Sequence, residues 1–513
     1  MPVNSSHPDY TAMILPWLTM RDVLAGEEAV KLAGIRYLPR LDSQSDAEYL
    51  GYKSRACFFN ATARTCDGFL GLFFRRDPEV KLPEGDAGAG AALRAFTVDA
   101  DLLGTSLFTY CKGVVSEVLA VGRCGTLVDW GGIATGHSGG ERAYVVRYAA
   151  EDILNWQTAC VNGRNMLTLV SLREVQEVAD AVDPFLVRHV ESIRVLRLQP
   201  VSGVAGALEY GVEIWHCAAG SWELMERRRP LRQGKALDQI PFVFHGPRNA
   251  LPAVDKMPLA DIVHVNLDHY RLDADYKHGL HFTALPTAWV SGFDKTTELR
   301  IGSSTAWVAD SVGAVAGFLE FRGHGLSTFE TAQARDERLM AVLGSRMLED
   351  TKRVGETAQA IELRQAGENS ILQTLALSVS DSISQVLRWV YWWNSTEPQV
   401  QDVLADQVLL KINTDFTAKG LTSLELTAVV SAWQAGAISQ GTMFDVFRKG
   451  EVLPAGRTDA EEMQLVQADL AVQAGPAIQP AATVPANPPV KSKSVSSKTA
   501  VKPSAYIHPL AVS

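Results

Sequence analysis

Apolar residues recur at mixed spacings of three and four through residues 10–24 and 48–74, which predicts two helices near the start of the chain. Arg75-Arg76-Asp77-Pro78 closes the second. A Gly/Ala-rich loop, GDAGAGAAL, leads to a third helix near Leu102–Val121. From Gly125 to about Phe244 the period falls to two. TLVDW, AYVVRY, MLTLVSL, SIRVLRL, YGVEIWHC and IPFVF alternate or run β-branched, the mark of a sheet with turn-rich connections. After Pro258 the helical period returns and stops at Leu285-Pro286, where a proline disfavours the helical conformation of the residue before it. A short β-like insert follows, then helices near Leu326–Leu348 and Glu368–Asn394, the strand QVLLKINTDF, and a small helical cluster ending near Leu465. The expected fold class is therefore α+β.

The second of those late helices, ENSILQTLALSVSDSISQVLRWVYWWN, carries apolar residues at 372, 375, 379, 383, 386 and 390, with Asn369 or Ser370 as its expected N-cap. Trp389, Tyr391, Trp392 and Trp393 nearly surround its end, too much aromatic surface to leave wet, so burial in a core or at a junction is expected.

Composition narrows the class. The 513 residues are 47% apolar and 21% charged, which suits a globular protein with a sizeable core. The net charge of −10 excludes a general nucleic-acid coat, whose basic footprint would be plain. Six cysteines (Cys57, Cys66, Cys111, Cys124, Cys160, Cys217) form no CxxC and read as reduced thiols, mostly in the core, with Cys57 and Cys66 placed in a helix. No signal peptide and no membrane-spanning stretch is expected. From Ala471 the last 43 residues hold seven prolines, four lysines and no acid, a basic tail that cannot bury a core; the body then carries −14.

Candidate chemistry concentrates in PLADIVHVNLDHYRLDADYKHGLHFTALP, residues 258–286, with four histidines and four aspartates in 29 positions. On a helix, Asp261, His264, Asp268, Arg271, Asp275 and His278 recur at spacings of 3, 4, 3, 4 and 3 and share one stripe. His264 and Asp268, at i and i+4, are positioned to share a metal in a metal-assisted hydrolase. However, a catalytic zinc site takes three protein ligands, no HExxH is present, and Arg271 in mid-stripe opposes a cation. The mixed signs favour helix-to-helix pairing over a catalytic pocket, and no cofactor is expected. Gly136-His137-Ser138-Gly139-Gly140 nearly matches GxSxG but lacks the strand-turn-helix context a nucleophile elbow needs. Gly234-Lys235 is followed by Ala236 and lacks the earlier glycine of a P-loop. Asn60-Ala61-Thr62 and Asn394-Ser395-Thr396 fit the glycosylation pattern but carry no meaning without secretion. No catalytic constellation remains.

The ordered set of segments resembles the portal proteins of tailed bacteriophages, in particular a podophage-type branch. The segments are YLPRLDSQSDAEYLGYKSRACFFNATARTCDGFLGLFFRRDPEV, ILNW, the 258–286 helix with its insert ending EFRGHGLS, RLMAVLGSRML, ETAQAIELRQAGENSILQTLALSVSDSISQVL and AWQAGAISQGTMFDVFRKGEVL. The resemblance covers about residues 7–465. It implies a non-enzymatic ring, usually a dodecamer, at a unique capsid vertex of a virion made in the host bacterial cytoplasm. It also implies a channel for double-stranded DNA in packaging and ejection, docking of the terminase large subunit, and contact with the major capsid protein or scaffold and a head-tail adaptor. Mapped onto this chain, residues 1–250 are a wing, 251–285 a descending stem helix, 286–324 a clip and 325–348 an ascending stem helix. Residues 349–368 hold a tunnel loop, 369–415 a long helix and wing strand, 416–470 a crown, and 471–513 have no assigned role. The stripe from Asp261 to His278 then packs stem against stem, and Glu349, Asp350, Lys352 and Arg353 face the channel. A different ring-forming head-tail adaptor is the remaining alternative.

Overall fold

Helices form near the start of the chain where the spacing predicts them, with one break: α1 (Pro8–Ala25), α2 (Glu27–Ala33), α3 (Asp46–Arg55) and α4 (Ala61–Phe73). The run expected as one helix over 48–74 is two, because capping residues divide it. Ser45 and Glu48 form a reciprocal capping box at the start of α3, and the Asn60 side chain accepts the Ala63 N–H at the start of α4. The strand β1 (Glu79–Lys81) follows, then α5 (Ala89–Val98) and α6 (Leu107–Val121). The Gly/Ala-rich stretch read as a loop thus contributes a helix, held by burial of Leu93 and Phe96. Ser106 caps α6, five residues later than expected.

The computed structural model describes residues 3–83, 88–131, 142–161, 163–179, 183, 185–201, 207–218, 220–284, 287–293, 307, 312–319, 325–344, 358–397, 400, 407–414, 416, 423–450, 452–453 and 457–473. The chain divides into two compact units, residues 1–418 and 419–513.

The alternating block yields β2 (Cys124–Trp130), β3 (Ala143–Ala149), β4 (Ile153–Val161), β5 (Arg164–Ala179), β6 (Val187–Pro200), β7 (Leu208–Ala218) and β8 (Ser221–Arg228), then the short pair β9 (Leu231–Arg232) and β10 (Lys235–Ala236), and β11 (Phe242–His245). Strands β4 to β8 make one antiparallel meander, while β11, β2 and β3 make a separate three-stranded sheet. Gly125 in β2 is required by packing: a Cβ there would lie 2.2 Å from the Phe242 ring. An alanine at this site would push a buried aromatic off β2.

The 258–286 segment forms α7 (Ala260–Ala284), followed by the hairpin β12 (Thr287–Ser291) and β13 (Val315–Leu319) and by α8 (Leu326–Gly344). Next come α9 (Ala358–Asn394) and β14 (Leu409–Lys411). Helix α9 starts before the expected Asn369 or Ser370 cap, and both residues lie inside it. Its apolar face is buried at each expected position, Leu372, Leu375, Val379, Ile383, Val386 and Val390, each side chain contributing about 1.5–3 kcal/mol. Trp389, Trp392 and Trp393 are buried too, with Trp393 5.6 Å from the Trp130 ring. Arg232 closes the end of α9 by donating to the Ser395 and Glu397 carbonyls while lying over the Trp392 ring.

Serines on α9 do what its apolar positions cannot. Ser384 Oγ accepts the Leu410 N–H at 2.9 Å and Ser380 Oγ accepts the Ile412 N–H at 2.9 Å, so hydroxyls satisfy the edge of β14 that faces away from β1. Ser382 ends a fully buried chain with Tyr110, Thr126 and His245. The Ser382 hydroxyl donates to the Val379 carbonyl and so accepts from His245 Nδ1. His245 Nε2 must then accept from Thr126, whose oxygen accepts from Tyr110. The chain runs in one direction through a neutral imidazole.

The second unit contains α10 (Ser423–Gln434), α11 (Gln440–Lys449) and α12 (Asp459–Gln473). Ser439 caps α11, and Met443 and Phe444 are buried. Arg448 binds both Asp445 and Asp459, tying α11 to the first residue of α12.

Candidate functional site

The feature richest in polar side chains is the antiparallel pair α7–α8 with its connecting hairpin. Helix α7 is fixed to the body by buried polar groups as much as by apolar ones. Asn266, fully buried, accepts from the Thr62 N–H and hydroxyl and donates to the Phe59 carbonyl, so α7 supplies a cap to the first turn of α4. Asp273 accepts the Cys57 N–H at 2.6 Å and pairs with Lys277 at 3.0 Å. Tyr270 and Ala274 are fully buried, and the Tyr270 ring meets Phe58 edge-on.

The six stripe residues divide into two groups. Towards the C-terminal half of α7, Arg271 Nε donates to the Tyr37 carbonyl at 2.9 Å, and Asp275 accepts the Tyr52 hydroxyl at 2.5 Å. His278 Nδ1 lies 3.1 Å from an Arg55 nitrogen, and its ring meets Tyr52 edge-on. Burial, then the Arg55 charge, holds the His278 imidazole below its ordinary value. Burial and the Asp275 carboxylate push the Tyr52 phenol well up. These three residues are spent on α3 and the segment before it, within the same chain. In the N-terminal half, Asp261, His264 and Asp268 are exposed; Asp261 pairs with Lys256, and Asp268 with Arg271.

The two helices meet closely at Gly279, where a Cβ would stand 2.9 Å from a Leu326 methyl. Further along, Tyr276 donates to Glu330 at 2.7 Å, and the buried His269 lies 3.7 Å from Glu337. Asp268 and Asp336 line a shared cleft of about 610 Å³ with Ser327, Thr331 and Arg335. Burial, then the Asp268 charge, raises the Asp336 carboxyl above its ordinary value. The exposed surface of α8 continues as Leu339, Val342 and Leu343, one apolar face in its last turns.

Among the described residues no group of three or more His, Cys, Asp or Glu side chains is placed to hold a metal, so His264 and Asp268 gain no third ligand there. Gly136–Gly140, the GxSxG-like segment, lies outside the described residues, as do Glu349, Asp350, Lys352 and Arg353. Gly234 sits at a positive φ of 78° in the tight β9–β10 hairpin. The cysteine expectation holds only in part. Cys66, Cys111 and Cys124 are buried, whereas Cys160 and Cys217 are exposed, as is Cys57, which follows the end of α3. No helix among the described residues is long and apolar enough to cross a membrane.

Two polar arrangements have no motif in the sequence. One is the Tyr110–Thr126–His245–Ser382 chain. The other is Arg123, 2% exposed and sandwiched between the Trp156 and Phe244 rings at 4.0 and 4.4 Å; burial pulls its guanidinium down to about 9. The only hint of either is a polar residue at the edge of an apolar run.

Residues 258–394 match a family model described as "Domain of unknown function (DUF4055)". The match takes in α7, the hairpin, α8 and α9. No curated protein matches the chain. Among solved structures, the chain is similar to one in the neck of a native GTA particle computed with C12 symmetry. The identity is 10% and the TM-score 0.35, over 75% of this chain and 89% of that one. It is also similar to a chain in the virion of a native gene transfer agent particle, with 12% identity and a TM-score of 0.36 over 83% of this chain and 99% of that one. For a chain in the neck of an empty GTA particle computed with C6 symmetry, the values are 11% and 0.34, over 74% and 87%.

Proposed function

We propose that the chain is a portal subunit, one of a ring, usually of twelve, that forms a DNA channel at a capsid vertex. The observation that carries this reading is the antiparallel pair α7–α8, joined through the β12–β13 hairpin and anchored to the body along α7. A stem needs two long helices, a small connector at its far end and a firm root. The unspent polar groups of the stripe, Asp261, His264 and Asp268, face outward beside Arg335 and Thr331, where a neighbouring copy would pack. The sequence resemblance to phage portals supports the same assignment in the same element order.

The acidic body also fits. A wall dense in fixed cations would release counterions from DNA and grip its phosphates, whereas an acidic conduit lets the duplex slide. On this reading Lys352 and Arg353, beside Glu349 and Asp350, centre the duplex by weak, salt-screened attraction. Terminase large subunit, capsid or scaffold protein, and a head-tail adaptor would dock on the assembled ring. The test is direct: native mass and particle images of the purified protein. A closed ring with a channel wide enough for duplex DNA is expected. A stable monomer, or stoichiometric metal bound through His264 and Asp268, would overturn the reading.

A further inference from the structure

Strands β5 and β6 run on beyond the sheet they belong to. β4 reaches only Leu172 of β5, and β7 reaches only Ser192 of β6. From Val175↔Glu191 to Ala179↔Val187 the two strands pair with each other alone, five residue pairs of two-stranded ribbon. At ~3.3 Å per residue this arm projects about 17 Å past the sheet. Its end is apolar and unsheltered: Phe185 is 94% exposed, Leu186 53% and Val187 48%. The turn beneath them is built, since Asp183 accepts the Phe185 N–H through its carboxylate and the Leu186 N–H through its carbonyl. A two-stranded ribbon is marginal in water by itself, and an apolar tip adds a cost that contact would remove.

A receptor of matching character lies at the other end of β5. A groove of about 940 Å³ is bounded by Trp156, Thr158, Met166, Phe244 and Pro252, and Asp9 supplies the one charged side chain among its described lining residues. Behind the Trp156 and Phe244 walls, Arg123 is packed between the two rings, and His7 stacks on the outer face of Trp156 at 4.0 Å, so the wall is stiff. The tip is followed by Arg188 and His189, basic residues to set against Asp9. The groove flanks residues 165–167 and the arm begins past residue 174 on the same strand. From Leu167 to Ala179 is about 40 Å of extended chain at ~3.3 Å per residue, so an arm cannot enter its own groove.

We infer that the arm tip Phe185–Val187 of one copy seats in the groove around Trp156 and Met166 of the next. Such a contact joins two different surfaces and is head-to-tail, so it repeats from copy to copy and closes a ring when the rotation allows. It rests on the ring reading above and names one of that ring's contacts.

The experiment uses the full chain. The double variant Phe185→Ser, Leu186→Ser is compared with wild type by native mass across a dilution series, with circular dichroism as the check on folding. In parallel, a benzoylphenylalanine photo-crosslinker replaces Phe185 in a mixture of isotopically light and heavy chains. Expected are a folded variant whose assembly midpoint rises at least tenfold, and light–heavy crosslinks ending in residues 155–167 or 250–253. Rings that form unchanged in the double variant, or crosslinks that end elsewhere, overturn the arm contact and leave the ring reading standing. A wild-type chain that stays monomeric throughout the series overturns both.

Discussion

His245 is the residue whose chemistry depends most on its surroundings. Burial, with Arg147 nearby, pushes its imidazole down to about 3, so the folded protein holds it neutral while the unfolded chain binds a proton near the ordinary value of about 6.5. The unfolded state therefore takes up more protons as pH falls between these values. The stability that His245 contributes is fully present above about 6.5 and declines towards pH 3. Replacing it with phenylalanine strands Thr126 and Ser382 in the core and should cost about 2–3 kcal/mol at pH 7. The same substitution should flatten the loss of stability between pH 6.5 and 4, measured by urea unfolding at several pH values. Equal pH slopes for variant and wild type would show that His245 does not titrate on unfolding.

At the scale of the element, α7 shows how one regular stripe divides by environment. Asp275→Ala removes the acceptor of Tyr52, a residue 2% exposed, and should destabilise the folded chain by about 1–3 kcal/mol. The pair His264→Ala, Asp268→Ala acts on exposed positions and should move monomer stability by less than about 0.5 kcal/mol each. On the ring reading, those two changes weaken assembly. Thermal or denaturant unfolding of the dissociated chain, beside native mass of the assembled one, separates the two effects. A His264/Asp268 variant with normal assembly would remove the outer half of the stripe from the interface. The period of the stripe was plain in the sequence, but its division was not. Spacing places six residues on one face, while α3, which covers half of that face, arrives from more than 200 positions earlier in the chain.

At the scale of the whole molecule, the acidic body and the basic tail are separable by composition. A chain ending at residue 470 should assemble as the full chain does, because the tail from Ala471 has no apolar periodicity to contribute to a packed interface. Native mass of the shortened chain checks this, and a monomer where the full chain forms rings would count against it. Lys352→Ala with Arg353→Ala should leave the ring intact while altering genome loading or retention in virions. Normal genome length and retention would exclude both residues from the channel's working surface.

The sequence by itself determined the periods: helix, then sheet, then long helices, with α7 and the buried face of α9 placed by the spacing of their apolar residues. Those features are local, since each residue's side is set by its neighbours three or four positions away. It did not determine which helix covers which face. The divided run at residues 56–60, the early start of α9 and the helix within the Gly/Ala stretch all depart from the local reading. Tertiary structure alone brought Asn266 to the cap of α4, His245 to Ser382, Arg123 between two rings, and the arm and groove to opposite ends of β5. The reason is physical. A buried polar group is tolerated only where a partner awaits it, and here the partners lie tens to hundreds of residues away, where no local pattern can register them.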